Sequence, residues 1–484
     1  MKEIIIDPIT RLEGHGKIVI FLNEAGEVEN AYLQVPELRG FERFCIGRKA
    51  EDMPVLTSRI CGVCPVAHHM ASTKALDAAF HVEPPDPAKK LRELMYCGYI
   101  IYDHTLHFYY LGGPDFIVGP RAPREKRNII GVIEKVGLDV GKEVIRHRSY
   151  GQKIVETIGG KATHPVSGLP GGMSKPLSEE KRQEIEKMAE SSVKFAQFTL
   201  EIFHKIILEN TEYVDLIKSD IYSLRTYYMG LVDEKNRLNF YDGKIRVVDP
   251  YGKEFAKFDA KDYLDHIAER VEEWTYVKFP YLKKIGWKGF IDGVDSGIYR
   301  VGPLARLNVS DGLATPLANE EYKKMYRTLG GKPVHSTLAF HWARLIELLY
   351  AAERSLELIR DPEITSRNVR NMPGEPGEGV GVVEAARGTL IHHYILDENA
   401  LVKDVNLIVA TVNNAPSISM SICNAARGLI RGEHVDEGLL NMVEMAFRAY
   451  DPCFGCATHF AIGQMPMTIE IYDTKGRLIR RIQR

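Results

Sequence analysis

Along this chain the pattern of apolar and polar positions opens as strands and continues mainly as helices. Over residues 1–35 the two kinds alternate, with Lys17-Ile-Val-Ile-Phe-Leu22, a turn at Asn23-Glu-Ala-Gly26 and then residues 28–35, which predicts antiparallel strands. A short helix between residues 40 and 60 leads to Arg59-Ile-Cys61-Gly-Val-Cys64, and residues 70–80 leave that turn as a second helix. Pro84-Pro85-Asp86-Pro87 breaks the chain. Residues 91–111 then carry Leu94, Cys97, Ile101, His104, Phe108 and Leu111 near helical spacing and stop at Gly112-Gly113-Pro114.

The stretch 115–176 is mixed and closes in the loop Gly168-Leu-Pro-Gly-Gly-Met173. Ser178 is placed to cap a helix whose first turn carries Glu179 and Glu180, with an inner face of Ile185, Met188, Phe195, Ile202 and Ile206. Residues 229–315 are the least regular, with turn chemistry at Tyr241-Asp-Gly-Lys244 and Asp249-Pro-Tyr-Gly252. Residues 336–359 return to a helix with Leu338, Leu345, Leu348, Ala352, Leu356 and Ile359 on one face. Two strands, 380–383 and 390–394, flank Glu384-Ala-Ala-Arg387-Gly388, residues 404–412 read as a third, and a helix over 437–449 delivers Asp451-Pro-Cys453-Phe-Gly-Cys456-Ala-Thr-His459. Long helices apolar on one side belong in a bundle. No repeat, coiled coil or composition shift marks a domain boundary.

Charge narrows the partners. Lys and Arg total 63 against 65 Asp and Glu, a formal charge of -2, so no global basic field points to nucleic acid or an anionic membrane. Seven cysteines in 484 residues, odd in number and partly paired at short spacing, favour metal or redox work in a reducing compartment over a disulfide framework. The N-terminus lacks the apolar core of a signal peptide and no run approaches the length of a membrane span, so the expected compartment is the cytoplasm.

The chemistry concentrates in the two thiol turns, which read C-x2-C-x3-H and C-x2-C-x2-H. Each turn aims two sulfurs at one point, and four thiolates brought together suit a soft or borderline metal. Spacing alone leaves three readings open: structural zinc, a four-cysteine iron-sulfur cluster, and a thiolate-bridged pair of metals. Against a zinc staple stand the size of the helical body, the surplus histidines, and Glu13 and Glu42 in glycine-containing turns near the N-terminus.

Six segments, in order along the chain, carry a resemblance: Arg11-Leu-Glu-Gly-His15, Arg39-Gly-Phe-Glu42, Arg59-Ile-Cys-Gly-Val-Cys64, Asp103-His-Thr-Leu-His-Phe-Tyr109, Glu384-Ala-Ala-Arg-Gly388 and Asp451-Pro-Cys-Phe-Gly-Cys-Ala-Thr-His459. Together they resemble the large subunit of nickel-iron hydrogenases, with Pro65-Val-Ala-His-His-Met-Ala-Ser72 similar to the cytoplasmic methyl-viologen-reducing branch. The resemblance implies a mainly α fold with small β-sheets around a central long-helix bundle, a single intertwined domain over residues 1–459. It also implies heterolytic cleavage and formation of dihydrogen. A nickel-free quinone-module subunit, which lacks the paired thiols, and a zinc-stapled scaffold are the competing functions.

Residue by residue, the resemblance implies nickel held by Cys61, Cys64, Cys453 and Cys456, with Cys64 and Cys456 shared with an iron that bears carbonyl and cyanide. Cys453 takes the proton first and Glu13 carries it toward solvent. Arg387 faces cyanide, Thr411 hydrogen-bonds it, and Ala386 stands where the family usually has proline. Asp115 and Asp451 complete the polar canopy, and His68 bonds the Cys64 sulfur. Glu42, His459 and the Leu407 carbonyl form a magnesium site. His104 and His107 are expected to be core histidines. With every paired thiol used, no iron-sulfur cluster is expected within the chain, so an iron-sulfur small subunit is the expected obligate partner. Flavin and iron-sulfur subunits would carry electrons on to ferredoxin, heterodisulfide or a nicotinamide. Family precursors are cut after the last metal-binding histidine, here His459, so residues 460–484, which read as a hairpin, are the candidate maturation peptide for an endopeptidase.

Overall fold

Seven helices frame the molecule in the computed structural model, which describes residues 2–432, 435–458, 468–472 and 477–483. They are α1 (Pro65–Ala79), α2 (Asp86–Leu106), α3 (Leu138–Gly159), α4 (Glu179–Phe203), α5 (Phe340–Ile359), α6 (Ala410–Leu429) and α7 (Glu437–Arg448). Helices α2, α3, α4 and α5 pack side by side as the central bundle. Helix α2 begins earlier than its apolar spacing indicates, because Pro87 sits in its first turn, where the missing N–H costs nothing. It runs on through a π-helical turn, His107–Gly112, and stops at the expected glycines.

Helix α3 lies inside the stretch whose pattern is mixed. Glycine accounts for part of that blur: a Cβ on Gly151 would come within 2.6 Å of the Gly98 carbonyl oxygen, so α2 and α3 touch backbone to backbone where a side chain would normally mark the face. On α4 the Ser178 hydroxyl accepts the Lys181 N–H at 3.3 Å, as the cap requires. Its buried face is turned from the predicted one. Ala189, Ser192, Ala196 and Thr199 join Ile185 and Phe195, and these small residues let α5 approach closely.

Among the described residues, three sheets of three or more strands complete the body. Strands Lys2–Ile6, Lys17–Leu22 and Val28–Gln34 form an antiparallel N-terminal sheet. Tyr227–Val232, Lys244–Val248 and Glu254–Phe258 form a meander, turned at Asp249–Gly252 by an N–H of Gly252 donated to the Asp249 carbonyl, with Tyr299–Arg300 parallel at its edge. Glu378–Ala385, Gly388–Leu396 and Val402–Ile408 form the third, packed on α1.

One element differs in kind from its reading. The strand expected over 404–412 ends at Ile408, and Thr411 and Val412 begin α6. That helix is buried on nearly every side, so it shows no polar face from which a 3.6-residue period could be read. At the C-terminus, Thr468–Tyr472 pairs antiparallel with Leu478–Gln483, the hairpin anticipated there. Among the described residues, no helix is long and apolar enough to cross a membrane.

Candidate metal centre

The two thiol turns meet. Cys61, Cys64, Cys453 and Cys456 are all buried, and their sulfurs lie within 4.8 Å of one another. Sγ of Cys61 is 3.5 Å from Sγ of Cys453, Cys64 is 3.4 Å from Cys456, and Cys453 is 2.8 Å from Cys456. Local structure aims each turn. Cys64 is the N-cap of α1 with Pro65 behind it, and the N–H groups of Val63 and Cys64 both donate to the Cys61 sulfur at 3.2 Å. Cys453 caps the short helix Phe454–Ala457. None of the seven cysteines forms a disulfide. Cys45, Cys97 and Cys423 are buried elsewhere.

Glu13 closes the cluster on one side. Its Oε2 is 2.8 Å from Sγ of Cys453 and accepts the Gly455 N–H at 3.0 Å, while its backbone pairs with the second thiol turn through the Phe454 N–H at 2.9 Å. Burial first, then the charge of Cys61, pushes the Glu13 carboxyl above its ordinary value. Beyond it, Glu13 opens on a surface cleft of about 630 Å³ lined by His15, Glu37, Arg39 and Arg59.

Above the sulfurs lies the turn that carries Arg387. Its Nη1 is 3.1 Å from Oδ2 of Asp103 and its Nη2 is 3.0 Å from Oδ2 of Asp451. All three side chains are buried. Asp451 takes a left-handed backbone at φ 57°, and burial, opposed by Arg387, pushes its carboxyl up to about 7. Thr411, on α6, accepts the Cys453 N–H at 3.1 Å, which leaves its own proton to donate.

Asp115 is placed differently. Its carboxylate pairs with Arg11, accepts from Arg448 at 2.5 Å and from Asn441 at 3.1 Å, so it clamps the N-terminal loop to α7, and Asp103 holds the position beside Arg387. His68 Nδ1 is 3.1 Å from Nε2 of His392, whose Nδ1 is 2.8 Å from the Tyr394 hydroxyl. His104 is hydrogen-bonded to Glu347 at 2.9 Å and His107 to the Arg448 carbonyl at 2.9 Å, as core histidines are. Glu42 is buried and accepts the Leu407 N–H at 2.9 Å, so it lies beside the residue whose carbonyl is the second expected magnesium ligand. His459 lies outside the described residues. Two further residues belong to the site without being marked by motif chemistry: Asp103, and Tyr99, whose hydroxyl bonds the Ala386 N–H at 2.9 Å. Asp103 opens one of the six segments, whereas Tyr99 shows only as one more apolar position of α2.

The donor set fits a soft metal. Hydrogen bonds from Cys453, Cys456 and Cys64 pull the Cys61 thiol well below its ordinary pKa, whereas burial pushes the Cys453 and Cys456 thiols up. So crowded a set keeps protons on some of its sulfurs until a cation takes their place. Four buried thiolates favour nickel, zinc or iron over magnesium or calcium, and the acid at one edge is what a centre that exchanges protons needs.

Known proteins resolve the choice. Residues 39–124 and 218–459 match the nickel-dependent hydrogenase family, and residues 3–38 match a family described as HoxL-like. An F420-non-reducing hydrogenase iron-sulfur subunit from Archaeoglobus profundus is 49% identical over 485 residues, covering 100% of both chains. The NAD-reducing hydrogenase HoxS subunit beta of Cupriavidus necator is 38% identical over 496 residues, covering 99% of each. A crystal structure of an NAD+-reducing [NiFe]-hydrogenase in the H2-reduced state superposes with a TM-score of 0.90 at 37% identity, covering 95% of this chain and 100% of that one.

Fold and site thus define a four-thiolate metalloenzyme with an acid at its edge. The chain belongs to the nickel-dependent hydrogenase family, and it is the large catalytic subunit of a [NiFe] hydrogenase, an oxidoreductase.

Proposed function

We propose that Cys61, Cys64, Cys453 and Cys456 hold nickel, with Cys64 and Cys456 shared with an iron that carries carbonyl and cyanide, and that Glu42, the Leu407 carbonyl and His459 hold magnesium. When bound, the nickel-iron pair supplies polarisation of dihydrogen toward heterolytic cleavage. The protein's own part is to receive the proton. Cys453 accepts it at Sγ and passes it to Oε2 of Glu13, which returns it by rotation to the cleft beside His15 and Glu37. The observation that carries this reading is the 2.8 Å contact between the Glu13 carboxylate and the Cys453 sulfur inside a buried thiol cluster. A buried carboxyl with a raised pKa exchanges protons with a thiol more evenly than an ordinary glutamate does. Arg387, fixed by Asp103 and Asp451, presents a buried cationic wall to the anionic ligands of the iron, with the Thr411 hydroxyl as a further donor.

Electrons leave through an iron-sulfur small subunit, a reading supported by the relatives' names, which make them subunits of larger hydrogenases. Flavin and iron-sulfur subunits in the cytoplasm then pass them to ferredoxin or a nicotinamide. The support for a nicotinamide or another soluble acceptor is the named function of the relatives, one NAD-reducing and one F420-non-reducing. Residues 460–484 serve as the maturation peptide, cut by an endopeptidase. The family match ends at residue 459, and the solved NAD+-reducing chain is wholly covered by 95% of this one.

The test is hydrogen-dependent reduction of methyl viologen by the purified complex, followed by NAD+ and ferredoxin in turn. Dye reduction that requires nickel supports the reading. A nickel-replete complex inert toward hydrogen and dye contradicts it.

A further inference from the structure

We propose that Tyr99 is a positioning residue that sets the place of Arg387 over the metal centre through the backbone N–H of Ala386. The proposal rests on the reading that Arg387 faces the diatomic ligands of the iron.

Helix α2 carries a row of tyrosines on the face that looks toward the sulfurs. The Tyr96 hydroxyl donates to the Glu384 carbonyl at 2.9 Å, Tyr99 accepts the Ala386 N–H at 2.9 Å, and Tyr102 donates to the Val63 carbonyl at 3.1 Å. One turn beyond Tyr99, Asp103 holds the Arg387 guanidinium at 3.1 Å. One helix therefore grips the entry to the Arg387 turn, the Arg387 guanidinium and the backbone of the first thiol turn.

Other residues hold the turn by its carbonyls: Arg306 donates to the Ala385 carbonyl at 2.8 Å and to the Ala386 carbonyl at 3.3 Å, and Asn414 donates to the Arg387 carbonyl at 3.3 Å, while the Ala386 N–H goes to Tyr99. The turn joins Glu378–Ala385 to Gly388–Leu396 with Ala386 and Arg387 as its two central residues, and Ala385 pairs with Gly388. Neither central residue takes positive φ, so the turn is none of types I′, II and II′. It therefore lacks the primed-turn twist that suits a two-residue hairpin, and contacts from outside the hairpin, the Tyr99 hydroxyl among them, hold it. Gly388, at φ 142°, absorbs the strain, and a Cβ there would come within 2.1 Å of Val301.

Ala386 is fully buried, so its N–H needs a partner, and the Tyr99 hydroxyl is that partner. A proline at 386 would bring no N–H, is not opposed by a positive φ at that position, and follows an extended residue, Ala385. The alanine thus turns the loop into one held from α2 by a hydrogen bond, and the hydroxyl at 99 matters because of the residue at 386.

The experiment is a double-mutant cycle on the purified holoenzyme complex, comparing wild type, Tyr99→Phe, Ala386→Pro and the double variant, with Tyr102→Phe as control. The readouts are the melting midpoint and the infrared stretching bands of the iron's diatomic ligands, with nickel content measured first. Tyr99→Phe is expected to lower the midpoint by about 2 °C and to move the bands. Adding Ala386→Pro is expected to recover most of both changes, since it removes the stranded N–H, and to recover neither in Tyr102→Phe. Additive effects in the cycle, bands unmoved by Tyr99→Phe, or equal rescue of Tyr102→Phe would overturn the proposal. If Tyr99→Phe alone does not accumulate, folded protein from the double variant supports the proposal, and failure of the double while Ala386→Pro folds overturns it. A wild type without such bands defeats the reading of the iron ligands, while the melting cycle still decides whether Tyr99 acts through Ala386.

Discussion

The carboxylate of Glu13 sits 2.8 Å from the sulfur of Cys453, across 440 positions of sequence. The contact joins the first loop of the protein to its last described thiol turn, and it lies at the edge of the metal cluster rather than inside it. A carboxylate so placed carries protons without competing for the metal. Glu13→Gln keeps the shape and the Gly455 hydrogen bond but cannot take a proton. Proton–deuterium exchange under hydrogen should fall by about 10²-fold or more with nickel content unchanged. Exchange at the wild-type rate would show that protons leave by another route.

Cys456→Ser replaces a soft thiolate with a hydroxyl that stays protonated at neutral pH. Nickel in the purified chain should drop to background while the fold persists, because the four-helix bundle does not depend on the metal site. Elemental analysis alongside circular dichroism checks both halves.

Asp115 acts on the site from a distance. Its carboxylate answers Arg11 in the loop before Glu13 and Arg448 at the end of α7, just before the second thiol turn. Arg448 and Arg11 outweigh the effect of burial and hold its pKa below the ordinary value. Asp115→Asn leaves the buried Arg448 and the partly buried Arg11 short of charge, and breaking a buried pair costs about 3–5 kcal/mol. A lower midpoint in urea, accompanied by loosened nickel retention, is the expected outcome. Weakened nickel with an unchanged midpoint would separate the clamp from stability.

Acid should loosen the core through His341. Burial, then Arg344, lowers its pKa from 6.5 to about 3. The folded protein therefore keeps this ring neutral while the unfolded chain takes up a proton near pH 6.5. The stability is whole above pH 6.5 and is lost as pH falls from there toward 3, at about 1.4 kcal/mol per pH unit for this one group. His69, lowered to about 4 chiefly by burial, acts in the same direction. Unfolding midpoints measured from pH 7.5 to 5 should fall less steeply in His341→Phe than in wild type. Equal slopes would place the acid sensitivity elsewhere.

The sequence was legible where structure is local. The two C-x-x-C turns identify themselves because four residues suffice to aim two sulfurs, and Ser178 marks the start of α4 because a cap is a contact across three residues. Glu13 was different. Its spacing argues only for a glutamate near a strand, and the resemblance supplied its role, because nothing local reports a partner hundreds of residues away. Asp103 and Tyr99 face inward on α2, where a polar group that bonds backbone looks like one more core position. Helix α6 was hidden for the opposite reason, since a helix buried all round offers no alternation to read.

X-ray absorption at the nickel edge of the purified complex addresses the central claim most directly. The account predicts nickel in this chain with a shell of sulfur from Cys61, Cys64, Cys453 and Cys456, lost in Cys456→Ser. Zinc in its place, or nickel surrounded by nitrogen and oxygen alone, would contradict it.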